Sequence, residues 1–326
     1  PPTSAQAYDE VLARIGRYRP SAEELALVGI EVERSPAQSA ACLWNPNRAK
    51  AASSARLFEV RSEGLDAKAT SGLLKKTAEL NCSLNSIVLA AFLRSMALHP
   101  HPKSVAMLLS TSGTNYPDAS VDGVFAGFSQ VVPADFDVPG PDQRIEDILA
   151  AVHAQAHRRL SCGLDRALAR VFAESVKQIP LVDGEVPSEI LGGASDNKRA
   201  NIYFSFLGHV RFDPAGKDVE VANIRTGGTN PAGSLECQFM IFGERLVLFL
   251  VFDSAFFGAQ LIERFLGRFA WELENFSHSA SPAAAPAVEA APTPAGDTDK
   301  VTTQLLGIAA EAMHRDFAPN ELAMDM

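Results

Sequence analysis

The sequence predicts an α/β fold, a mixed sheet covered by helices. Three observations carry this expectation. Apolar runs of strand length alternate with longer stretches of helical period. The resulting order, β-α-α-β-β-α-α-β-β-β-β-α, interleaves the two types throughout, as a sheet with covering helices requires. The chain has 326 residues and is 47% hydrophobic and 21% charged, enough to bury a large core.

Residues 1–54 are Pro- and Ala-rich with one weak helical pattern, "AYDEVLARIGRY", and read as an irregular approach segment. A main unit follows over residues 55–276, opening with a short strand at 57–60, "LFEV". Helices are expected at 66–80 and 84–98; the second, "LNSIVLAAFLRSMAL", is apolar nearly all round and reads as buried. "SVAMLLST" (104–111) fits a buried strand, and "VFAGFSQVVPADF" (124–136) fits a second strand ended by Pro133. Residues 142–159 form a helix with acids in its first turn and arginines in its last, complementing the helix dipole. A further helix is expected at 164–178.

Four strand candidates come next, at 200–207, 217–224, 235–242 and 245–252. The last two are joined by "GE", the signature of a tight hairpin. The closing helix, 259–276, carries Leu261, Ile262, Phe265, Leu266, Phe269, Leu273 and Phe276 on one face. Residues 277–299 are nearly all Ala, Pro, Ser, Thr and acids, a composition that biases a chain toward an extended flexible linker. Beyond it, 301–315 has one amphipathic helical pattern. Pro1 and Met326 both read as cut ends.

Composition excludes several classes. The net charge of −10 argues against a nucleic-acid surface, which needs clustered Lys and Arg. No run of eighteen apolar residues marks a membrane span, and no secretory leader is evident. The four cysteines, Cys42, Cys82, Cys162 and Cys237, are scattered without a CxxC pair and read as reduced thiols of a cytoplasmic protein. His153 and His157 have a chelating i, i+4 spacing but lack a third ligand nearby, so no metal site is assigned. "RTGGTNPAG" (225–233) has no GK[ST] and reads as a connection, and "STSGTNY" (110–116) reads as a turn without the elbow that a nucleophilic Ser112 requires.

Three stretches in order, "GFSQVVPADFDV" (127–138), "NIYFSFLGHVRF" (201–212) and "GERLVLFLVFDSAFFGAQLIERFLGRF" (243–269), resemble the condensation-domain superfamily of nonribosomal peptide synthetases and hybrid polyketide synthases. The likeness is to its C-terminal lobe, of the chloramphenicol-acetyltransferase-like (CoA-dependent acyltransferase-like) fold. Gln130 stands where that pattern usually has Asn, and "SFLG" resembles its "NYLG" strand, with Ser205 for Asn. The end of the chain, 300–326, resembles the first helix and early loop of an acyl or peptidyl carrier domain. The resemblance implies a 4′-phosphopantetheine arm on a serine beyond Met326.

The resemblance implies two carrier-bound substrates meeting in a tunnel between two lobes, with carrier proteins and an N-terminal lobe as partners. It places Gln130, Asn201, Ser205 and His209 along that tunnel. The family's double-histidine motif, ending in Asp-Gly, is not present in this sequence, and the pair His209 and Asp213 reproduces only its spacing. No residue is therefore assigned a catalytic role. Three readings stay open: half of a condensation-type acyltransferase forming an amide or ester, a non-catalytic docking or spacer module, and an epimerisation-type domain or stand-alone acyltransferase. Half of a two-walled tunnel also implies a broad exposed apolar face.

Overall fold

A computed structural model describes residues 58–98, 103–112, 129–161, 202–210, 235–254 and 257–279, together with Ser21, Ala22 and Ala167. The elements, in order, are β1 (Phe58–Gly64), α1 (Ala67–Glu79), α2 (Leu84–Met96), β2 (Ser104–Ser112), β3 (Ser129–Asp137), α3 (Ile145–Ser161), β4 (Ile202–Val210), β5 (Leu235–Phe242), β6 (Arg245–Asp253) and α4 (Ala259–His278). The approach segment, the linker, the carrier-like tail and the elements expected at 164–178 and 217–224 lie outside the described residues.

The six strands form one sheet in the order β1-β6-β5-β4-β2-β3. β4 runs parallel to both β2 and β5, and the other three junctions are antiparallel. The sheet is therefore mixed, as the alternation of elements predicts. The β5–β6 hairpin turns at Gly243, whose φ of +60° suits the first central position of a two-residue turn that only glycine takes cheaply.

Two expectations need correcting. Pro133 does not end its strand; it sits inside β3, in register with Leu108. β3 is an edge strand, so half of its backbone groups face away from the ladder and a missing N–H need break no bond. Residues 110–112 do not begin a turn either. They extend β2, with Ser110, Thr111 and Ser112 paired to Val131, Gln130 and Ser129.

Local signals place the helices. The Asp66 carboxylate accepts from the Ala69 N–H at 2.7 Å and caps α1. The helix ends with Asn81 at φ +48°, while the Cys82 N–H reaches the Thr77 carbonyl at 3.1 Å. That is the wrap-around ending in which Asn substitutes for the usual glycine. Ser83 caps α2, accepting from the Ser86 N–H at 3.1 Å. In α3, Glu146 and Asp147 occupy the positive end of the dipole.

Helices α1, α2 and α4 cover one face of the sheet. Phe92 of α2 is the centre of this layer. Its ring stands edge-on to Phe265 and Phe269 of α4, with centroids 5.0 and 5.5 Å away, and to Phe204 of β4 at 5.8 Å. The face of α4 read from the sequence is the buried one, with Leu261 half-buried at its border. α4 also continues past residue 276 to His278.

Burial brings polar contacts with it. The Thr70 hydroxyl accepts from the Leu246 N–H at 2.8 Å, and the Leu65 N–H donates to the Leu246 carbonyl at 2.8 Å. Together they satisfy β6 where β1 has already ended. Lys76 is buried yet keeps its ammonium on the Ser279 carbonyl at 2.7 Å, beneath the Phe276 ring.

The other face of the sheet is buried as well. Met240, Phe249 and Val251 lie there, apart from the main core. The expected broad apolar exposure is therefore not found among the described residues. Leu74, Leu98, Leu207 and Trp271 are exposed, each on a different element or loop.

Candidate functional site

Side chains of paired residues in neighbouring strands point to the same side of a sheet. On the face opposite the helices, register aligns Ser205 of β4 with Gln238 of β5 and Phe249 of β6. The next row, one pleat away, aligns Tyr203, Glu236, Val251 and Val60. Ser205, Glu236 and Gln238 are 4, 4 and 8% exposed, a polar strip within an apolar setting.

Within the strip, Gln238 Nε2 donates to Glu236 Oε2 at 2.8 Å. The two residues are two apart on one strand, so they share a face. A carboxylate only accepts, which fixes the amide: its nitrogen faces Glu236 and its oxygen faces away. That oxygen, Oε1, is buried and has no hydrogen-bond partner. A buried acceptor left in this condition costs about 1–3 kcal/mol.

The sequence-derived residues do not gather at this strip. Ser205 belongs to it. His209 does not, because β4 carries one extra residue between Phe206 and His209, where the register to β5 shifts. Phe206 pairs with Phe239 and His209 with Ile241, so two residues on β4 oppose the single Met240. Gly208 absorbs the bulge at φ +86°. His209 is thereby turned to the face of Phe206, where its ring stands edge-on at 6.1 Å, exposed to solvent. Position 130 pairs with Thr111 and by register also falls on the helix-covered side. Asn201 lies outside the described residues.

Glu236 and Gln238 are the residues the sequence reading missed. Their signal is present in "LECQFMIF", where two polar side chains at i and i+2 interrupt an apolar strand. His153, read as half of a chelating pair, places Nδ1 at 3.1 Å from the Ser86 hydroxyl, tying α3 to the start of α2. Among the described residues no cluster of His, Cys, Asp and Glu is set to hold a metal ion, and no helix is long and apolar enough to cross a membrane. The Cys237 thiol, on the helix-covered face, is pushed well above its ordinary range by desolvation, and that of Cys82 is raised for the same reason.

A mixed sheet of this topology, closed by a hairpin and a long amphipathic helix, is the fold of the condensation-domain superfamily, within the CoA-dependent acyltransferase-like class. The chain is similar to the epimerization domain from the third module of tyrocidine synthetase B, with a TM-score of 0.57 and 15% identity. The match covers 81% of this chain and 57% of that one. It is similar also to the condensation domain from the Monacolin K polyketide synthase, with a TM-score of 0.55, 12% identity, and 78% and 56% coverage. A third likeness is to the trichothecene 15-O-acetyltransferase from Fusarium sporotrichioides, with a TM-score of 0.51, 11% identity, and 77% and 51% coverage. The chain thus spans little more than half the length of these solved structures. No protein-family model matches the sequence, and no curated protein matches it.

Proposed function

We propose that the chain forms the C-terminal lobe of a condensation-type acyltransferase in a modular synthase. It would act with a second lobe on acyl groups held as thioesters on carrier proteins, passing them to an amine or hydroxyl. The single observation that carries this reading is the fold shared with both an epimerization and a condensation domain over about four-fifths of the chain. The thioesters are those of a 4′-phosphopantetheine arm on a carrier, and the setting is cytoplasmic. Transfer of an acyl group breaks the thioester C–S bond and forms a C–N or C–O bond. The acceptor loses a proton and the thiol gains one.

This lobe supplies a wall rather than a base. His209 is exposed and faces away from Ser205, so it is poorly placed to take a proton at the strip. That position favours one second reading, a docking or spacer module without its own chemistry. Expressing the chain together with its encoded flanking regions separates the two, with a loaded carrier and acceptors followed by intact-protein mass. Loss of the acyl mass from the carrier, with an acceptor product formed, supports the enzyme. Retention of that mass with every acceptor, from soluble and folded protein, supports the module.

A further inference from the structure

We infer that Gln238, with Ser205 beside it and Glu236 behind it, forms a subsite that accepts the N–H of a secondary amide. Such an amide belongs to a pantetheine-type thioester arm. The inference deepens the acyl-transfer reading and rests on it for the class of ligand.

The argument starts from polarity. A buried strand gains about 1.5–3 kcal/mol from each large apolar side chain it buries. β5 instead places Glu236 and Gln238 among Met240, Phe249 and Val251. Nothing in sheet formation asks for them there. Glu236 orients the amide through the 2.8 Å bond from Gln238 Nε2, so the carbonyl end projects from the pair as a fixed acceptor. Oε1 has no partner in the folded chain, which leaves one hydrogen-bonding capacity to be filled. An acceptor is filled by a donor. Apolar neighbours disfavour a charged ammonium, whose desolvation is costly, and suit a neutral N–H. Ser205, opposite Gln238 in the register, offers a hydroxyl that can serve the carbonyl of the same amide. A thioester arm with amides near its sulfur presents both groups along an otherwise apolar, narrow chain.

The test uses two probes with one acyl group, S-butanoyl-N-acetylcysteamine and S-butanoyl ethanethiol, which differ in the amide. Binding to the 326-residue chain is measured by ligand-observed NMR titration. The amide probe is expected to bind about tenfold more tightly, the worth of one well-placed buried hydrogen bond. Gln238→Leu should bring the two probes to parity, with the melting transition retained. Gln238→Met, unbranched like Gln, serves if the leucine variant does not fold. Equal binding of the two probes by the unaltered chain overturns the proposal. So does a preference that survives substitution, or binding of neither probe. The carrier assay reports separately on the enzyme. A preference abolished by Gln238→Leu, alongside absent transfer, upholds the subsite and sinks the enzymatic reading. Transfer alongside equal probe binding does the reverse.

Discussion

The His209 ring stands edge-on to Phe206 at 6.1 Å, on the side of the sheet opposite Ser205. Simple alternation would have placed His209 and Ser205 together, four residues apart on one strand. The extra residue in β4 separates them, and Gly208 at φ +86° makes the extra residue affordable. Nothing crowds a Cβ added at Gly208, so Gly208→Ala tests backbone strain alone. It should cost about 1–2 kcal/mol in urea unfolding. His209→Ala should move stability by less than about 0.5 kcal/mol and leave acyl transfer unchanged. A large loss of transfer in His209→Ala would restore that histidine to the chemistry.

The Cys237 thiol gives a pH dependence with a definite sign. Its folded value is raised by burial, so below the unfolded value of about 8.5 both states hold the proton and its contribution is fully present. Above that pH the unfolded chain ionises first, and stability falls until the folded thiol also titrates. Cys237→Ala should flatten the fall in melting temperature between about pH 8.5 and 10. Mass-resolved alkylation at pH 8 should leave Cys237 unmodified in folded protein and modify it after denaturation. Rapid native modification would show that the strand opens locally.

Two helical glycines should respond in opposite directions. A Cβ at Gly72 would meet the Ser277 carbonyl oxygen at 2.8 Å, where α1 crosses the end of α4. That oxygen is backbone and cannot swing aside. Gly72→Ala should therefore destabilise by about 1–3 kcal/mol despite alanine's better helix propensity. Gly267 on α4 has open space around it, and Gly267→Ala should stabilise by about 0.5–1 kcal/mol. Matched urea titrations of the two variants check the crossing; equal shifts would deny the close approach.

Much of the architecture was legible because it rests on period and punctuation. The seven apolar positions from Leu261 to Phe276 announce α4, and "GE" between two apolar runs announces the β5–β6 hairpin. Strand order was not legible, since β4 joins β2 and β5 by parallel pairings that no local signal encodes. Pro133 was misread because a proline's meaning depends on whether its strand is an edge, a fact of the whole sheet. The site suffered most from one residue. Gly208 looks like an ordinary glycine in "SFLGHV", yet its bulge reverses the face of everything after it in β4.

Glu272 sits 5% exposed between α2 and α4, accepting from Arg94 Nε at 3.1 Å and from Arg268 Nη2 one turn earlier on its own helix. One carboxylate thus offsets two guanidiniums, and Arg94 Nη1 and Arg268 Nε are buried without partners. Removing the carboxylate leaves two partly desolvated cations facing each other. Full burial would put that loss near 3–5 kcal/mol. The arginine side chains are 22 and 32% exposed, so water relieves part of it, and Glu272→Ala should cost about 2–3 kcal/mol. Replacing all three residues by Met should recover most of the loss, because apolar groups of similar length fill the space without desolvated charge. Recovery will fall short by about 0.5–1 kcal/mol, since Arg268 also lies 3.8 Å over the Trp271 ring. Urea midpoints for the single and triple variants decide the matter. A triple variant no more stable than Glu272→Ala would mean that the ion triad, and not the packing beneath it, holds α2 against α4.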